Sequence, residues 1–287
     1  MRLNLFVAKA AGLARRKADL AVQHGKVTVN GVIVQQPFVP VGEKDKVTLS
    51  GKLLNMQAYV YLMLNKPRGV TTTKEDQFAA KTVMEVLPEQ FRGLFPVGRL
   101  DRESSGLLLL TNDGDFCQKV THPKFEVEKD YFVVVSGMVD EAVAAQAKKG
   151  VKFEDEFLKV QGIKLISSFP NRTLLRVVIK EGKKRHIRHL FQALGCQVRE
   201  LKRMRVGGLY LDNLEEGKYK VITRSMAERA MHNPKVRDFH PAAKKSVAAD
   251  KPLPKLQEKK FTSRERDSKP KNRFAPKANA FSSFKKV

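Results

Sequence analysis

The stretch 98–113, GRLDRESSGLLLLTND, places a single carboxylate, Asp101, between two arginines, Arg99 and Arg102. Four leucines follow at 107–110, and a run that short and uniformly apolar is typical of a strand inside a sheet rather than of one helix face. The sequence therefore predicts an acid at the rim of a buried strand, where an apolar core meets a basic cleft. A carboxylate in such a place can act as a nucleophile or as a base.

A second stretch, KDYFVVVSG at 129–137, predicts a strand on which Tyr131, Val133 and Val135 share one face. Both faces of this strand carry apolar side chains, so it is either covered on both sides or faces a cleft. A tyrosine in such a strand is more often a core residue than a binding residue. The residues alone leave both interpretations open.

A helix is predicted further along, because apolar residues recur at helical spacing at Ile187, Leu190, Phe191 and Leu194. Arg188 follows Ile187 and so projects about 100° around the helix from the apolar stripe. This position at the edge of the core suits an ion pair with an acid at the same rim.

These stretches, together with NKPRG at 65–69, strongly resemble motifs of the bacterial ribosomal-RNA pseudouridine synthases of the RsuA family. The family hallmark is a GRLD segment followed by a serine or threonine, a glycine and a leucine run. KDYFVVVSG is similar to the family's K-x-Y-x-V-x-V-x-G motif, and residues 198–223 resemble its closing segment. EGKKRHIRHLF is similar to the family's EGRxRQIRRMF motif, with His186 in place of glutamine and His189 and Leu190 in place of arginine and methionine.

The resemblance implies that Asp101 is the catalytic aspartate, that Tyr131 stacks against the target base and that Arg188 pairs with the aspartate. The implied reaction is the conversion of uridine to pseudouridine in ribosomal RNA, which needs no cofactor because the base is only re-attached. Family members with long basic tails tend to act on large-subunit RNA, so we expect that target. Whether Asp101 is a nucleophile or a base stays open.

Residues 1–50 predict a small α+β module of two short helices and a hairpin around Asn30-Gly31, a dipeptide suited to a tight turn. The run GLARRKADLAVQHGKVTVNG resembles the S4-type RNA-binding domain, although many such domains have a serine where Ala14 stands and use it as a helix cap. The second helix opens with three cations that favour a bound phosphate, or else lie in an exposed turn that tolerates them: Arg15, Arg16 and Lys17.

The chain is predicted to be α+β, with an S4-like module of two antiparallel helices and strands at 1–50 and a linker at 51–58. A catalytic domain at 59–232 follows, with a mixed, mainly antiparallel sheet and flanking helices, including a short helix at 82–87. Residues 235–287 hold 16 lysines and arginines against 5 acidic residues and no apolar periodicity. A disordered basic tail is therefore expected over 233–287.

The net charge of +25 and the pI near 10.1 indicate a polyanionic partner, for which ribosomal RNA is the expectation, and not a membrane. Beside the three cations of the module, the residues expected to contact RNA are Lys66, Arg68, Arg99, Arg102, Lys183, Lys184, Arg185, Lys202, Arg203 and Arg205.

Other chemistries lack their residues. The two cysteines, Cys117 and Cys196, stand far apart, and the pair His186 and His189 has no carboxylate or thiol at ligand spacing, so no metal and no disulfide is expected. The sequence contains no dinucleotide fingerprint, Walker A loop or serine–histidine pairing. We therefore expect a cytoplasmic monomer that works without a cofactor.

Two other functions compete with the enzyme. A non-catalytic RNA-binding or ribosome-assembly protein would explain the charge and the N-terminal module, but not the GRLD, KDY and RHIR stretches. A DNA-binding protein is weaker, because no helix-turn-helix reading of the first module improves on the hairpin reading.

Overall fold

The N-terminal module of the computed structural model, which describes residues 1–73 and 81–233, packs two helices on a small antiparallel sheet. Its core is apolar and includes Leu3, Val7 and Val22. Helix α2 begins at Arg15 without a side-chain cap from Ala14, as predicted. The elements are α1 Leu3–Ala11, α2 Arg15–Gln23, β1 Val27–Val29, β2 Val32–Ile33, β3 Val47–Leu49 and β4 Lys52–Leu53, with strand order β2-β1-β3-β4.

The predicted hairpin is present between β1 and β2. Asn30 and Gly31 both have positive φ angles, of 53° and 85°, which is the backbone that a two-residue turn of this kind requires. Glycine and asparagine adopt it most readily, so the dipeptide itself fixes the register of the two strands.

A nine-stranded sheet forms the larger part of the described chain. Its strands are β5 Tyr61–Lys66, β6 Phe95–Val97, β7 Ser105–Thr111, β8 Lys129–Ser136, β11 Gly162–Phe169, β12 Arg172–Ile179, β13 Val198–Val206, β14 Leu209–Tyr210 and β15 Tyr219–Ile222, while β9 Val151–Phe153 and β10 Glu156–Leu158 pair separately. The order is β11-β12-β8-β13-β7-β5-β15, with β6 on β7 and β14 on β13. Among the pairings of these strands, β7 with β13 is parallel and the others are antiparallel, so the α+β prediction is confirmed.

The leucine run lies in the middle of this sheet and contributes side chains to two hydrophobic cores. Leu108 and Leu110 face one core, and Leu107 and Leu109 face the other, as expected for a strand buried on both sides. The helices that flank the sheet are α3 Gly114–Thr121, α4 Glu141–Lys149, α5 His186–Ala193 and α6 Arg224–Glu228, with single 3₁₀ turns at Glu89–Phe91, Pro123–Phe125 and Arg229–Met231. Within the described chain, no helix has the length and apolar content to cross a membrane.

The helix predicted at 82–87 is wrong. The segment instead enters an isolated parallel bridge between Thr71 and Thr82 and continues as turns. A helix of six residues pays the cost of nucleation for very few hydrogen bonds. Here Val83, Met84 and Leu87 are buried in the core without it, because the bridge already positions them.

Gly106 allows β7 and β13 to approach closely just beyond Asp101. Its φ angle is 105°, and a methyl group on its Cα would collide with the backbone of Arg203 on the neighbouring strand. A glycine is therefore required at this point of the GRLD stretch for steric reasons. The close pairing places the start of β7, and the turn that precedes it, against β13.

Candidate active site

Asp101 lies in a tight turn directly before β7. The amide of Ser104 donates to the carbonyl of Asp101 at 3.0 Å, which closes a four-residue turn with Glu103 at its third position. The side chain of Asp101 is 32% exposed and that of Glu103 is 50% exposed. Two carboxylates therefore reach solvent from the same turn.

The segment after β5 holds this turn in place. The hydroxyl of Thr72 donates to the carbonyl of Leu100 at 2.7 Å, and the amide of Gly69 donates to the carbonyl of Arg102 at 2.7 Å. These bonds fix the residues immediately before and after Asp101. The carboxylate thus starts from a backbone with little freedom, which is what a preorganised site requires.

Arg203 supports the turn from β13, on the other side. Its Nε donates to the carbonyl of Leu107 at 2.7 Å, and its Nη1 lies 3.5 Å from the carbonyl of Arg99. The side chain is buried, so these carbonyls replace water as its partners. Arg203 therefore acts on the backbone that carries Asp101.

Lys66 closes the NKPRG turn from inside the protein. Its fully buried ammonium donates to the carbonyls of Pro67 at 2.9 Å and Val70 at 2.7 Å. Burial lowers the pKa of Lys66 to about 8, and the negative charge of Asp101 acts in the opposite direction. Lys66 therefore experiences the charge of Asp101 although the lysine does not reach the surface.

Arg188 projects from α5 toward the turn. Its Nε lies 4.0 Å from Oδ2 of Asp101, and its side chain is 9% exposed. Nη1 donates to the carbonyl of Val198 and Nη2 to that of Glu103, each at 3.2 Å. Burial lowers the pKa of the Arg188 guanidinium, while Glu103 and Asp101 raise it. The helix periodicity correctly placed this residue at the edge of the core, near the acid.

Asp101 opens into a cleft of about 740 Å³ between the turn and α5. Tyr131 on β8 lines this cleft and is 7% exposed, while its ring also belongs to the core on that side of the sheet. Tyr131 is therefore a core residue that also reaches the cleft, and its binding role stays a prediction. The wall also includes Leu100, Ile179, Ile187 and Leu201, and the rim includes Arg99, Arg102, Lys183, Lys184 and Arg185.

Most of the cations expected to contact RNA are accessible. Arg185 and Lys202 are half-buried. Exposed side chains are found at Arg15, Arg16, Lys17, Arg68, Arg99, Arg102, Lys183 and Lys184. Five of the cations surround the cleft, and the three of the N-terminal module lie at the start of α2, where the guanidinium of Arg15 is close to Gly114 at the start of α3.

Three of the cations expected to contact RNA are buried: Lys66, Arg203 and Arg205. The first two bond backbone carbonyls as described above. Arg205 bonds the carbonyl of Gly207 at 2.7 Å and the carboxylate of Glu128 at 3.1 Å. The prediction of direct RNA contacts is therefore wrong for these three side chains, whose donors are already used inside the protein.

The two histidines of α5 point to different partners. One ring nitrogen of His186, Nε2, lies 3.0 Å from the carbonyl of Lys159, and the ring of His189 stacks on Phe153 with centroids 4.5 Å apart. Over residues 1–73 and 81–233, no group of three or more histidine, cysteine, aspartate or glutamate side chains could hold a metal ion.

Glu103 is the site residue that the sequence reasoning missed. Its Oε2 lies 4.0 Å from Nε of Arg188 and accepts from Nη1 of Arg185 at 2.9 Å. The signal was present, because an acid two residues after Asp101 in a four-residue turn has to stand close to it.

The arrangement brings three chemical functions together at the cleft and directly behind it. A carboxylate that reaches solvent can attack or deprotonate a bound molecule. A buried guanidinium 4.0 Å from it can orient it, and an aromatic ring on the wall offers a face on which a planar base can stack. Cations around the rim match a phosphate backbone.

The sequence and the structure both match known proteins. A family model described as RNA pseudouridylate synthase matches residues 60–193, and an S4 domain model matches residues 1–47. The chain is 34% identical over 230 residues to "Ribosomal large subunit pseudouridine synthase B" of Bacillus subtilis, across 79% of this chain and 94% of the relative. It is 32% identical to "Ribosomal small subunit pseudouridine synthase A" of Haemophilus influenzae, across 80% and 99%. A solved structure titled "Crystal structure of pseudouridylate synthase" superposes with a TM-score of 0.57 at 33% identity, across 80% of this chain and 99% of that one.

Proposed function

The chain belongs to the RNA pseudouridylate synthase family and isomerises uridine in RNA, and we propose that its substrate is ribosomal RNA and its catalytic carboxylate is Asp101. The observation that carries the proposal is that Asp101 and Tyr131 line one cleft, with the buried guanidinium of Arg188 placing its Nε 4.0 Å from the carboxylate of Asp101. These residues come from three separate parts of the sequence, and each stands at its place in a family motif.

The proposed chemistry uses the three side chains in turn. The reaction breaks the bond between C1′ of the ribose and N1 of the uracil, turns the base, and rejoins it through C5, from which a proton leaves. Asp101 attacks or deprotonates the nucleoside, Arg188 orients the carboxylate, and Tyr131 stacks on the base while it turns.

Binding has to extract the target nucleotide from its stack, which costs a few kcal/mol. The exposed cations at the rim of the cleft and on α2 can offset that cost by contacting phosphates. We propose these contacts for Arg99, Arg102, Lys183 and Lys184 at the rim, with Arg15, Arg16 and Lys17 on α2, and further for Arg68 and Lys202.

Large-subunit ribosomal RNA is the proposed target. Relatives named for either subunit are almost equally similar to this chain, so their names do not separate the two targets. The basic segment 235–287, which lies outside the described residues, favours the large subunit by resemblance to tailed members of the family. We propose that the enzyme acts in the cytoplasm, which is where bacteria make ribosomal RNA.

Mapping of pseudouridine in total RNA from cells with and without the gene tests the target. The expected result is the loss of pseudouridine at one or a few positions of large-subunit RNA and restoration by the wild-type gene. Purified enzyme and C5-tritiated transcripts provide the matched comparison, because release of tritium should occur from the large-subunit transcript and not from the small-subunit one. Loss of the modification only in small-subunit RNA or in transfer RNA would contradict the proposal.

A chain truncated after Asn233 tests the tail. Removal of 16 cations should weaken RNA binding and reduce the steepness of its salt dependence, because fewer counterions are released on binding. Filter binding at several salt concentrations measures both effects. Equal slopes for the full and truncated chains would show that the tail does not bind RNA.

A further inference from the structure

Of the three guanidinium nitrogens of Arg188, Nε is the one without a hydrogen-bond partner among the described residues. Nη1 and Nη2 are bound to the backbone carbonyls of Val198 and Glu103. Nε is buried and has no hydrogen-bond partner among the described residues. It lies 4.0 Å from Oδ2 of Asp101 and 4.0 Å from Oε2 of Glu103. Two carboxylates are therefore equally close to one donor.

Arg185 already holds the competing acid. Its Nη1 donates to Oε2 of Glu103 at 2.9 Å, which is the same oxygen that faces Arg188. This bond lowers the pKa of the Glu103 carboxyl and keeps it charged. The four residues thus form a row, from Arg185 through Glu103 and Arg188 to Asp101.

The backbone at Arg185 is unusual in a way that fits this contact. The residue stands immediately before α5 and has a φ angle of 53°, in the left-handed region that arginine rarely adopts. Strained backbone of this kind concentrates at functional sites. In this conformation the side chain contacts Glu103, with the 2.9 Å bond described above.

We propose that Arg185 is a positioning residue that holds Glu103 away from Arg188, so that Nε of Arg188 is left for Asp101. Without Arg185, the carboxylate of Glu103 loses its hydrogen-bond partner and can bind Nε of Arg188, which lies 4.0 Å away. Asp101 then loses the cation that orients it. The inference rests on the proposed roles of Asp101 and Arg188.

The rival explanation is that Arg185 contacts an RNA phosphate, as its position at the rim first indicated. The two explanations predict different dependence on Glu103. A phosphate contact is lost on substitution of Arg185 whatever residue stands at position 103. A positioning role matters only while that residue carries a charge that can bind Arg188.

A double-mutant cycle separates them, with the wild type, Arg185→Ala, Glu103→Gln and the double variant assayed on the same RNA. We expect kcat to fall by about 10- to 100-fold for Arg185→Ala with KM changed by less than about threefold, in line with loss of one charged hydrogen bond. In the Glu103→Gln background the same substitution should lower kcat by less than about threefold. Arg185→Gly, which tolerates the positive φ angle, should repeat the loss without backbone strain.

Lys184→Ala is the matched control, because Lys184 is the adjacent exposed cation at the rim. It should raise KM by the same factor with glutamate or glutamine at position 103. An equal fall in kcat for Arg185→Ala in both backgrounds, or an effect confined to KM, would overturn the positioning role. Asp101→Asn is assayed beside the cycle, and activity in that variant would refute the proposed function. If Asp101→Asn is inactive but Glu103→Gln does not reduce the loss of kcat caused by Arg185→Ala, only the role of Arg185 is refuted.

Discussion

Two acid–arginine clusters lie on opposite faces of the main sheet and differ in how completely they are bonded. Asp130 and Tyr131 are neighbours on β8, so Asp130 faces away from the cleft that Tyr131 lines. Its carboxylate is 2% exposed and accepts from Nε of Arg176 at 2.8 Å, with Nε of Arg205 at 3.5 Å. On the cleft side, Asp101 is 32% exposed and its arginine is 4.0 Å away.

The difference teaches which acid is available for chemistry. The carboxylate of Asp130 is enclosed and bonded by two arginines that pair it with β12 and β13, so it ties three strands together. The carboxylate of Asp101 is held through its backbone, while its oxygens face a cleft. Similar residue types thus form an enclosed, fully paired cluster on one face and, on the other, the accessible carboxylate that we propose to be catalytic.

The largest expected effect is on stability, from Asp130→Asn. This change leaves Arg176 buried without a counter-charge, while Arg205 keeps Glu128, and a stranded buried charge typically costs about 3 to 5 kcal/mol of the free energy of unfolding. Urea denaturation measures it, with Asp101→Asn as the matched control on the other face. Equal losses for the two variants would remove the distinction between the clusters.

Arg188→Ala should lower both the catalytic rate and the free energy of unfolding. Asp101 loses the cation that orients it, so we expect kcat to fall by at least about 10²-fold. Two backbone carbonyls also lose their donors, which should lower the free energy of unfolding by about 1 to 3 kcal/mol. Kinetics and denaturation of one preparation give both values, and unchanged turnover would exclude Arg188 from the site.

Lys129→Met tests whether burial disfavours the charged form of the Lys129 side chain, next to Asp130 on β8. Burial lowers the pKa of Lys129 to about 8, with Arg203 as a second cause. Since the unfolded chain keeps this proton up to a pH near 10.5, folding releases it between about pH 8 and 10.5, and stability contributed by this group rises with pH there. In the wild type this group should make the free energy of unfolding rise with pH by up to about 1.4 kcal/mol per pH unit, and the variant should lack that slope. Identical slopes in the wild type and the variant would contradict the shift.

Arg16→Ala should give the smallest effect, because Arg16 is exposed on α2 and far from both acid clusters in sequence. We expect RNA affinity to fall severalfold and the salt slope to decrease by about one unit, with stability unchanged to within about 0.5 kcal/mol. Arg92→Ala, which removes an exposed arginine paired with Glu89, is the control. If both variants bind RNA equally well, Arg16 is not a phosphate contact.

Local patterns predicted most of the elements that carry the site. The uniform leucine run indicated β7, the KDYFVVVSG stretch indicated β8 and helical spacing indicated α5, because each of these elements is marked by apolar residues close together in the sequence. The same spacing located Arg188 at the edge of the core. The helix at 82–87 failed because its apolar residues are buried by the bridge between Thr71 and Thr82, a contact across the chain that no local pattern shows.

The state of individual cations could not be predicted in the same way. Arg203 and Arg205 look like a basic surface cluster, but they are buried because the register of β13 sets them against Asp130 and the Asp101 turn. Lys66 is hidden because its own turn folds back over it. Burial of a charge depends on partners that are distant in the sequence. The same holds for the approach of Asp101 and Glu103 to Arg188, so neither feature could be predicted from local patterns.

Asp101→Asn measures the central claim most directly. The substitution removes the negative charge with almost no change in size, and the turn that carries it is held by backbone contacts that remain. We expect the variant to fold and to bind large-subunit RNA like the wild type, but to release no tritium from C5-labelled uridine. Release at a rate near that of the wild type would show that Asp101 is not the catalytic carboxylate.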